Sequence, residues 1–191
     1  MKKLIFTLLA AAVCSISYGQ FSRLVVKEVP NEGVDGKTYR VYAEVKGAED
    51  HIHAVFGQEG HPLKVESTKP FFQSKYGGGM SKEINRSTVE ENSELKFDSW
   101  VTIGLEDNYN NALNIFIMTL DGFEQGNALE TSDGAWFVTP DHLQAFADDN
   151  KMILLMQLTT AGEVTGVLNL QGRMGSGEVF KEYDLPFTCG K

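Results

Sequence analysis

The stretch Thr38-Tyr39-Arg40-Val41-Tyr42-Ala43-Glu44-Val45-Lys46 decides the fold class of this 191-residue chain. Its odd-numbered positions from 39 to 45 are apolar, and its even-numbered positions from 40 to 46 are polar, charged or amphipathic. Side chains that alternate with a period of two residues place one face of the segment toward a core and the other toward water, which is the pattern of a β-strand. The stretch therefore predicts a strand with one buried face.

Similar short runs, rich in β-branched and aromatic residues, recur along the chain between Gly, Pro, Asn and Asp breaks. They predict eight further strands, at 23–29, 51–56, 63–67, 97–105, 112–119, 151–159, 164–171 and 179–187. Residues 160–163 predict a tight hairpin between the two longest strands. Thr139-Pro140-Asp141 predicts the start of one short helix that buries Leu143 and Phe146. Together these elements predict an all-β, two-sheet β-sandwich, jelly-roll-like or immunoglobulin-like, with one short helix.

The long segment 68–96 interrupts this pattern with Phe71-Phe72, the triple glycine 77–79 and an acidic stretch. Loops of this length in a compact domain are usually functional or disordered. The aromatic first half is expected to pack on the sandwich. The second half, 81–94, is expected either to contain a short helical turn or to remain mobile.

The N-terminus has the three parts of a cleavable signal peptide: Lys2 and Lys3, the apolar run 4–13, and the small-residue stretch 15–19. Cleavage is expected near Gly19/Gln20, which leaves residues 20–191 as a single domain in the periplasm or outside the cell. Lipidation at Cys14 is the alternative, although branched Val13 is unlike the small residue that usually precedes a lipidated cysteine. The apolar run is about half the roughly 20 residues that a bilayer-spanning helix needs, so no membrane span is expected.

Charge and cysteine content narrow the partner classes further. Loss of Lys2 and Lys3 with the leader would change the formal net charge from −9 to −11. Nucleic-acid binding is not expected, because its affinity rests on clustered Lys and Arg. Cys189 would then be the only cysteine, so the core must stabilise the fold without an intramolecular disulfide.

Aromatic residues in or beside the predicted loops provide the leading binding hypothesis. Secreted β-sandwiches often stack sugar rings on such side chains while Asn, Asp and Gln bond the hydroxyls. The candidates are Phe71, Phe72, Tyr76, Trp100, Tyr109 and Trp136. Core packing is the alternative role for the two tryptophans. The expected partner is a carbohydrate or an extracellular protein.

Metal binding is a weaker hypothesis on two sets of residues. His51 and His53 project to one face of a strand, and His61 follows a Gly-containing turn, so three imidazoles could bind zinc or copper. Two exposed histidines beside a turn are the alternative. Three aspartates lie in acidic, amide-rich or Asp-Gly loops that could supply calcium oxygens, although such loops are also ordinary β-turns: Asp107, Asp121 and Asp133. No cofactor is expected, and calcium at the three aspartates is the alternative.

The sequence contains no recognisable motif of a hydrolase. The sequence contains no Gly-x-Ser-x-Gly, and Ser176 lies in a Gly-Ser-Gly turn whose glycines are explained by flexibility. No catalytic residue is therefore assigned. The leading hypothesis is a secreted, non-enzymatic binding or structural β-sandwich, and the alternatives are a secreted hydrolase with dispersed carboxylates or a metal-binding exported protein. The sequence does not predict the oligomeric state.

Several strand and turn segments together resemble an uncharacterised secreted β-rich module found in exported proteins of Bacteroidota-like, often marine, bacteria. The segments that carry this resemblance are 38–43, 54–57 with Pro62-Leu63, 98–104, 134–137 and 154–160. The resemblance implies a fold and an exported location, and it implies no activity or catalytic residues.

Overall fold

A computed structural model describes residues 21–190, which form eleven strands and one α-helix. In chain order the strands are β1 (Phe21–Val29), β2 (Lys37–Val45), β3 (His51–Gly57), β4 (Leu63–Ser67), β5 (Trp100–Val101), β6 (Asn114–Phe116), β7 (Leu129–Thr131), β8 (Gly134–Phe137), β9 (Met152–Thr160), β10 (Val164–Arg173) and β11 (Val179–Cys189). They make a four-stranded and a seven-stranded antiparallel sheet, which confirms the predicted two-sheet sandwich. The predicted signal peptide, with Lys2, Lys3 and Cys14, lies outside the described residues.

The four-stranded sheet has the order β1-β2-β9-β5. The alternation predicted for β2 is present, because Tyr39, Val41, Ala43 and Val45 are all buried against the opposite sheet. Strand β9 departs from alternation, since every residue from Ile153 to Thr160 is buried. A second layer must therefore cover its outer face.

The seven-stranded sheet is organised by β10. Strand β11 pairs along one edge of β10, while β4 and β3 share the other edge, β4 beside Val164–Val167 and β3 beside Asn169–Arg173. Asn169 lies at this changeover and is fully buried. Its Nδ2 donates to Phe56 O at 2.9 Å and to His61 O at 2.8 Å, and its Oδ1 accepts from Asp184 N at 2.8 Å. One side chain thus satisfies backbone groups where the ladder is interrupted.

The main core fills the space between the sheets. Trp136 is 0% exposed there, and its Nε1 donates to Thr102 O at 2.9 Å. Cys189 is also buried and forms no disulfide within residues 21–190, and burial raises the pKa of its thiol to about 12. Within the described residues, no helix is long and apolar enough to cross a bilayer.

A second, smaller apolar cluster lies on the outer face of the four-stranded sheet. It contains Ile84, Leu95, Trp100 and Leu154. Residues 81–97, here called the helical cover, contain a 3-10 turn at Ser81–Glu83, the helix α1 (Arg86–Glu91) and a second 3-10 turn at Ser93–Phe97. Ile84 follows the first turn and Leu95 lies in the second, whereas no residue of α1 is fully buried. The Asn85 side chain caps α1 by accepting from Ser87 N at 3.0 Å. The helical turn expected within 81–94 is therefore confirmed.

The helix predicted after Thr139 is wrong. The segment contains only the 3-10 turn Leu143–Ala145, and Leu143 is 87% exposed rather than buried. The chain cannot continue as a helix because Phe146 is extended and forms a β-bridge with His51. The only α-helix of the described residues is α1.

Two strand predictions also need correction. The turn 160–163 does not close a hairpin, because β9 belongs to the four-stranded sheet and β10 to the other. The strand predicted at 97–105 is reduced to β5, although Thr102 N and Gly104 N still donate to β9 carbonyls at 2.9 and 2.8 Å. Strands β7 and β8, of three and four residues, are additional to the predicted strands.

Candidate functional site

The aromatic candidates do not form one exposed platform. Phe71, Trp100 and Trp136 are buried, at 3%, 2% and 0% exposure, so their ring faces are covered by protein. Phe72 is half-buried. Tyr76 and Tyr109 are exposed, and each ring has a cation over it, Lys75 at 4.8 Å and Arg86 at 5.0 Å. The core-packing alternative is confirmed for both tryptophans.

The histidine candidates are separated into two environments. His51 and His53 are each 5% exposed, and not the exposed pair considered above. His51 stacks on Phe146 at 4.6 Å between ring centroids, and His53 Nε2 lies 3.0 Å from the Gln171 side chain. Burial lowers the pKa of His53 to about 4. His61 instead bonds Asp184 Oδ2 at 2.7 Å, so its partners differ from theirs.

The aspartate candidates are also dispersed. Asp107 pairs with Arg86, and its Oδ1 accepts from Tyr109 N at 2.9 Å. Asp121 and Asp133 are exposed residues at turns. Within residues 21–190, no group of three His, Cys, Asp or Glu side chains is arranged to hold a metal ion.

A groove lies on the outer face of the four-stranded sheet. Its first basin has a volume of about 610 Å³ and lies between the helical cover and the β1–β2 connection. Its lining is largely apolar and includes Val29, Pro30, Ile84, Val89 and Trp100. The volume falls in the usual range of about 300–1,000 Å³ for small-molecule sites.

A second basin of about 390 Å³ adjoins the first. The two basins share four charged residues, here called the charged bar: Arg40, Arg86, Glu106 and Asp107. The second basin continues to Leu154 on the sheet and to Leu143 and Phe146. The groove therefore has two basins, one on each side of the charged bar.

Arg40 is the central cation of the bar and is held by a buried amide. Its Nε donates to Gln157 Oε1 at 3.0 Å, and its terminal nitrogen pairs with Glu106 at 2.6 Å. Gln157 is 0% exposed, and its Nε2 donates to Lys96 O and Asp98 O at 2.9 and 2.8 Å. Because both amide hydrogens are used, Oε1 must face Arg40. The guanidinium lies 6.0 Å from the Trp100 ring centroid.

The second pair of the bar is built around the carboxylate. The Asp107 side chain is 13% exposed and accepts from its own turn, whereas the Arg86 side chain is 63% exposed. The guanidinium of Arg86 lies over the Tyr109 ring at 5.0 Å. Asp107 is therefore the more buried partner and Arg86 the more exposed one, the reverse of the Arg40–Glu106 pair.

Asp98 attaches the long loop to the sheet beneath the groove. Its Oδ1 accepts from Ser74 N at 2.7 Å and from Ser99 N at 3.1 Å. Burial raises the pKa of this carboxyl to about 7, although the backbone donors oppose the shift. The backbone at Gly77 lies against Oδ2 so closely that no Cβ would fit. Asp98 is 0% exposed and does not line the groove, and its bond to Ser74 N holds the long loop against the sheet.

Sequence reasoning missed Arg40, Gln157 and Asp98 as site residues. The alternation in β2 correctly places Arg40 on the strand face that points away from the inter-sheet core. It does not show that the helical cover lies over that face. Gln157 carries a usable signal, because a polar residue inside the apolar run 152–158 needs a buried partner.

The fold and the groove together define a two-sheet β-sandwich with a covered outer face and a partly apolar groove on it. Comparison with models of known protein families, with curated proteins and with solved structures finds no match to this chain.

Proposed function

We propose that this protein is an exported, non-enzymatic binding domain whose ligand lies in the groove on the four-stranded sheet. The observation that carries the proposal is the first basin, about 610 Å³ in volume, with an apolar floor and charged residues at one side. Binding sites for small molecules combine such a floor with a few placed polar groups.

The groove favours an apolar or amphipathic ligand over a sugar. Stacking on a sugar ring needs an exposed aromatic face, but Trp100 at the floor is 2% exposed and lies beneath Arg40. The remaining lining combines apolar side chains, Val29, Pro30 and Val89 among them, with the charged Glu32, Glu90 and Lys96. Apolar area removed from water would therefore provide most of the binding free energy.

A neutral apolar fluorophore, N-phenyl-1-naphthylamine, tests the binding function. Its fluorescence should rise on addition to the purified exported protein and should saturate at one site per chain. Val89→Trp fills the first basin and should abolish this saturable signal. Val179→Trp is the matched control, because Val179 is 51% exposed on β11 and does not line the groove. No saturable binding, or equal loss in both variants, overturns the proposal.

Export is the second part of the proposal and has its own test. The support is the arrangement of Lys2 and Lys3, the apolar run 4–13 and the small residues before Gln20. Mass spectrometry of the protein recovered outside the cytoplasm should give an N-terminus at Gln20 or Phe21. An intact N-terminus on material that stays in the cytoplasm contradicts export.

A further inference from the structure

Arg40 is held more firmly than its ion pair requires. Its Nε is fixed by Gln157, whose own amide is fixed by two backbone carbonyls, and its guanidinium lies above Trp100. The Arg40 side chain is 24% exposed. A guanidinium that is oriented before a ligand arrives presents its remaining N–H donors at a defined place and loses little entropy on binding.

Glu106, the present partner of Arg40, is by contrast a weakly held group. Its side chain is 55% exposed, and no second hydrogen bond to its carboxylate is present among the described residues. Exposed ion pairs of this kind contribute little, because both charges are well solvated when apart. A competing anion can therefore replace Glu106 at little cost.

The position of Arg40 between the two basins indicates what kind of molecule would carry such an anionic group. Arg40 lines both basins, and the surface of the first basin is mostly apolar although Glu32, Glu90 and Lys96 also line it. Charge complementarity at one point and an apolar floor beside it fit a molecule with one anionic head and an apolar body. The planar fork of arginine suits a carboxylate or sulfonate head, since it can donate two parallel hydrogen bonds.

We propose that the groove binds a small amphipathic acid, whose anionic head takes the place of Glu106 on Arg40 and whose apolar body fills the first basin. This inference rests on the proposed function, because it assumes that the groove is the binding site. Glu106 then acts as an internal competitor that occupies Arg40 while the groove is free of ligand.

Two matched fluorophores separate this inference from the proposed function. 1-Anilinonaphthalene-8-sulfonate has the same aromatic body as N-phenyl-1-naphthylamine and adds one sulfonate. We expect the sulfonate probe to bind the unaltered protein more tightly than the neutral one. Arg40→Gln should weaken the sulfonate probe about tenfold and leave the neutral probe within about twofold. Arg40→Lys keeps the charge but loses the fork, so its effect should lie between the two.

Glu106→Gln provides a test that does not disturb Arg40. Because it removes the competing carboxylate, the sulfonate probe should bind about threefold more tightly, while the neutral probe should not respond. Octanoate should displace the sulfonate probe at lower concentration than 1-octanol does. Near-UV circular dichroism and a cooperative melt confirm that each variant is folded, since the sulfonate probe also binds molten states.

The outcomes distinguish the two ideas. If neither probe binds at one saturable site, the proposed function fails and this inference fails with it. If the neutral probe binds but the sulfonate adds no affinity, or if Arg40→Gln and Glu106→Gln leave the sulfonate probe unchanged, the groove remains a binding site and the inference about its ligand is overturned. Should Arg40→Gln not fold, the Glu106→Gln result alone decides.

Discussion

The outer faces of the two sheets are covered in different ways. On the four-stranded sheet, the helical cover buries Trp100 and leaves a groove of about 610 Å³ beside it. Beside β3 of the seven-stranded sheet, residues 138–146, here called the short cover, stack Phe146 on His51 at 4.6 Å between ring centroids, and Val138 N donates to His53 O at 2.9 Å. The first cover forms a wall beside the first basin, whereas the second packs Phe146 on His51 and also lines the second basin with Leu143 and Phe146.

The difference shows how a sandwich strand can carry a site on its outer face. Each sheet carries a buried ionisable group near its cover, Asp98 beside the first and His53 beside the second, and burial shifts the two pKa values in opposite directions. Both shifts favour the neutral form, because a charge is poorly solvated at either buried position. Only the four-stranded face combines this burial with an open apolar basin.

The largest expected effect comes from removing the floor of the groove. Trp100→Ala deletes the largest side chain of the outer cluster, so the free energy of unfolding should fall by about 3–5 kcal/mol. Urea unfolding followed by far-UV circular dichroism measures this loss. Tyr109→Ala is the control, because Tyr109 is 61% exposed and its removal should cost less than about 1 kcal/mol. Equal losses would mean that the cover does not pack on the sheet.

The next effect is the pH dependence contributed by Asp98. Its folded pKa of about 7 lies above the ordinary value of 3.8, so the folded state binds the proton more tightly. Its contribution to stability is therefore greatest at low pH, falls as the pH rises from about 4 to 7, and is flat above that. The fall should amount to about 4 kcal/mol.

Asp98→Asn isolates this contribution. The variant keeps an oxygen for Ser74 N and Ser99 N but has no proton to lose. Urea midpoints at pH 5 and pH 8 should differ less in Asp98→Asn than in the unaltered protein, and the variant should be the more stable of the two at pH 8. Parallel pH profiles would contradict a buried carboxyl with a raised pKa.

His53, on the seven-stranded sheet, should change the stability with pH in the opposite direction to Asp98 and by a smaller amount. Its folded pKa of about 4 lies below the ordinary value of 6.5, so the unfolded state takes up the proton first. Stability should be lost as the pH falls from about 6.5 to 4, by about 1–2 kcal/mol. His53→Gln should remove this loss of stability. The loss is measured in the Asp98→Asn background, where Asp98 does not titrate over the same pH range. A loss that persists in His53→Gln would assign it to another group.

The two faces also differ in how far they could be predicted. The alternation of Tyr39, Val41 and Ala43 against Arg40 and Glu44 is enough to predict the inter-sheet core, because a strand's period fixes which residues share a face. It does not show what covers the other face, since that depends on where a distant segment returns. Arg40 and Gln157 are 117 positions apart and meet only through the β2–β9 pairing.

Turn chemistry was a weaker guide for a related reason. Residues 160–163 have the composition of a hairpin turn, but Thr160 Oγ1 bonds Lys69 O and Pro70 O at 3.2 and 3.1 Å, which anchors the long loop where the chain changes sheet. A local pattern cannot distinguish a turn within a sheet from one between sheets, because both need the same backbone reversal. The jelly-roll-like and immunoglobulin-like alternatives could not be separated for this reason.

The smallest expected effects concern the short cover. Leu143 is 87% exposed, so Leu143→Ser should change the free energy of unfolding by less than about 0.5 kcal/mol. Phe146 is half-buried against His51, so Phe146→Ala should cost about 1–2 kcal/mol. The helix expected from the sequence would instead have made Leu143 a core residue with a cost of several kcal/mol. Urea unfolding of the two variants side by side therefore distinguishes the observed 3-10 turn from the predicted packed helix. Leu143 decides between them, because it is exposed in the first and buried in the second.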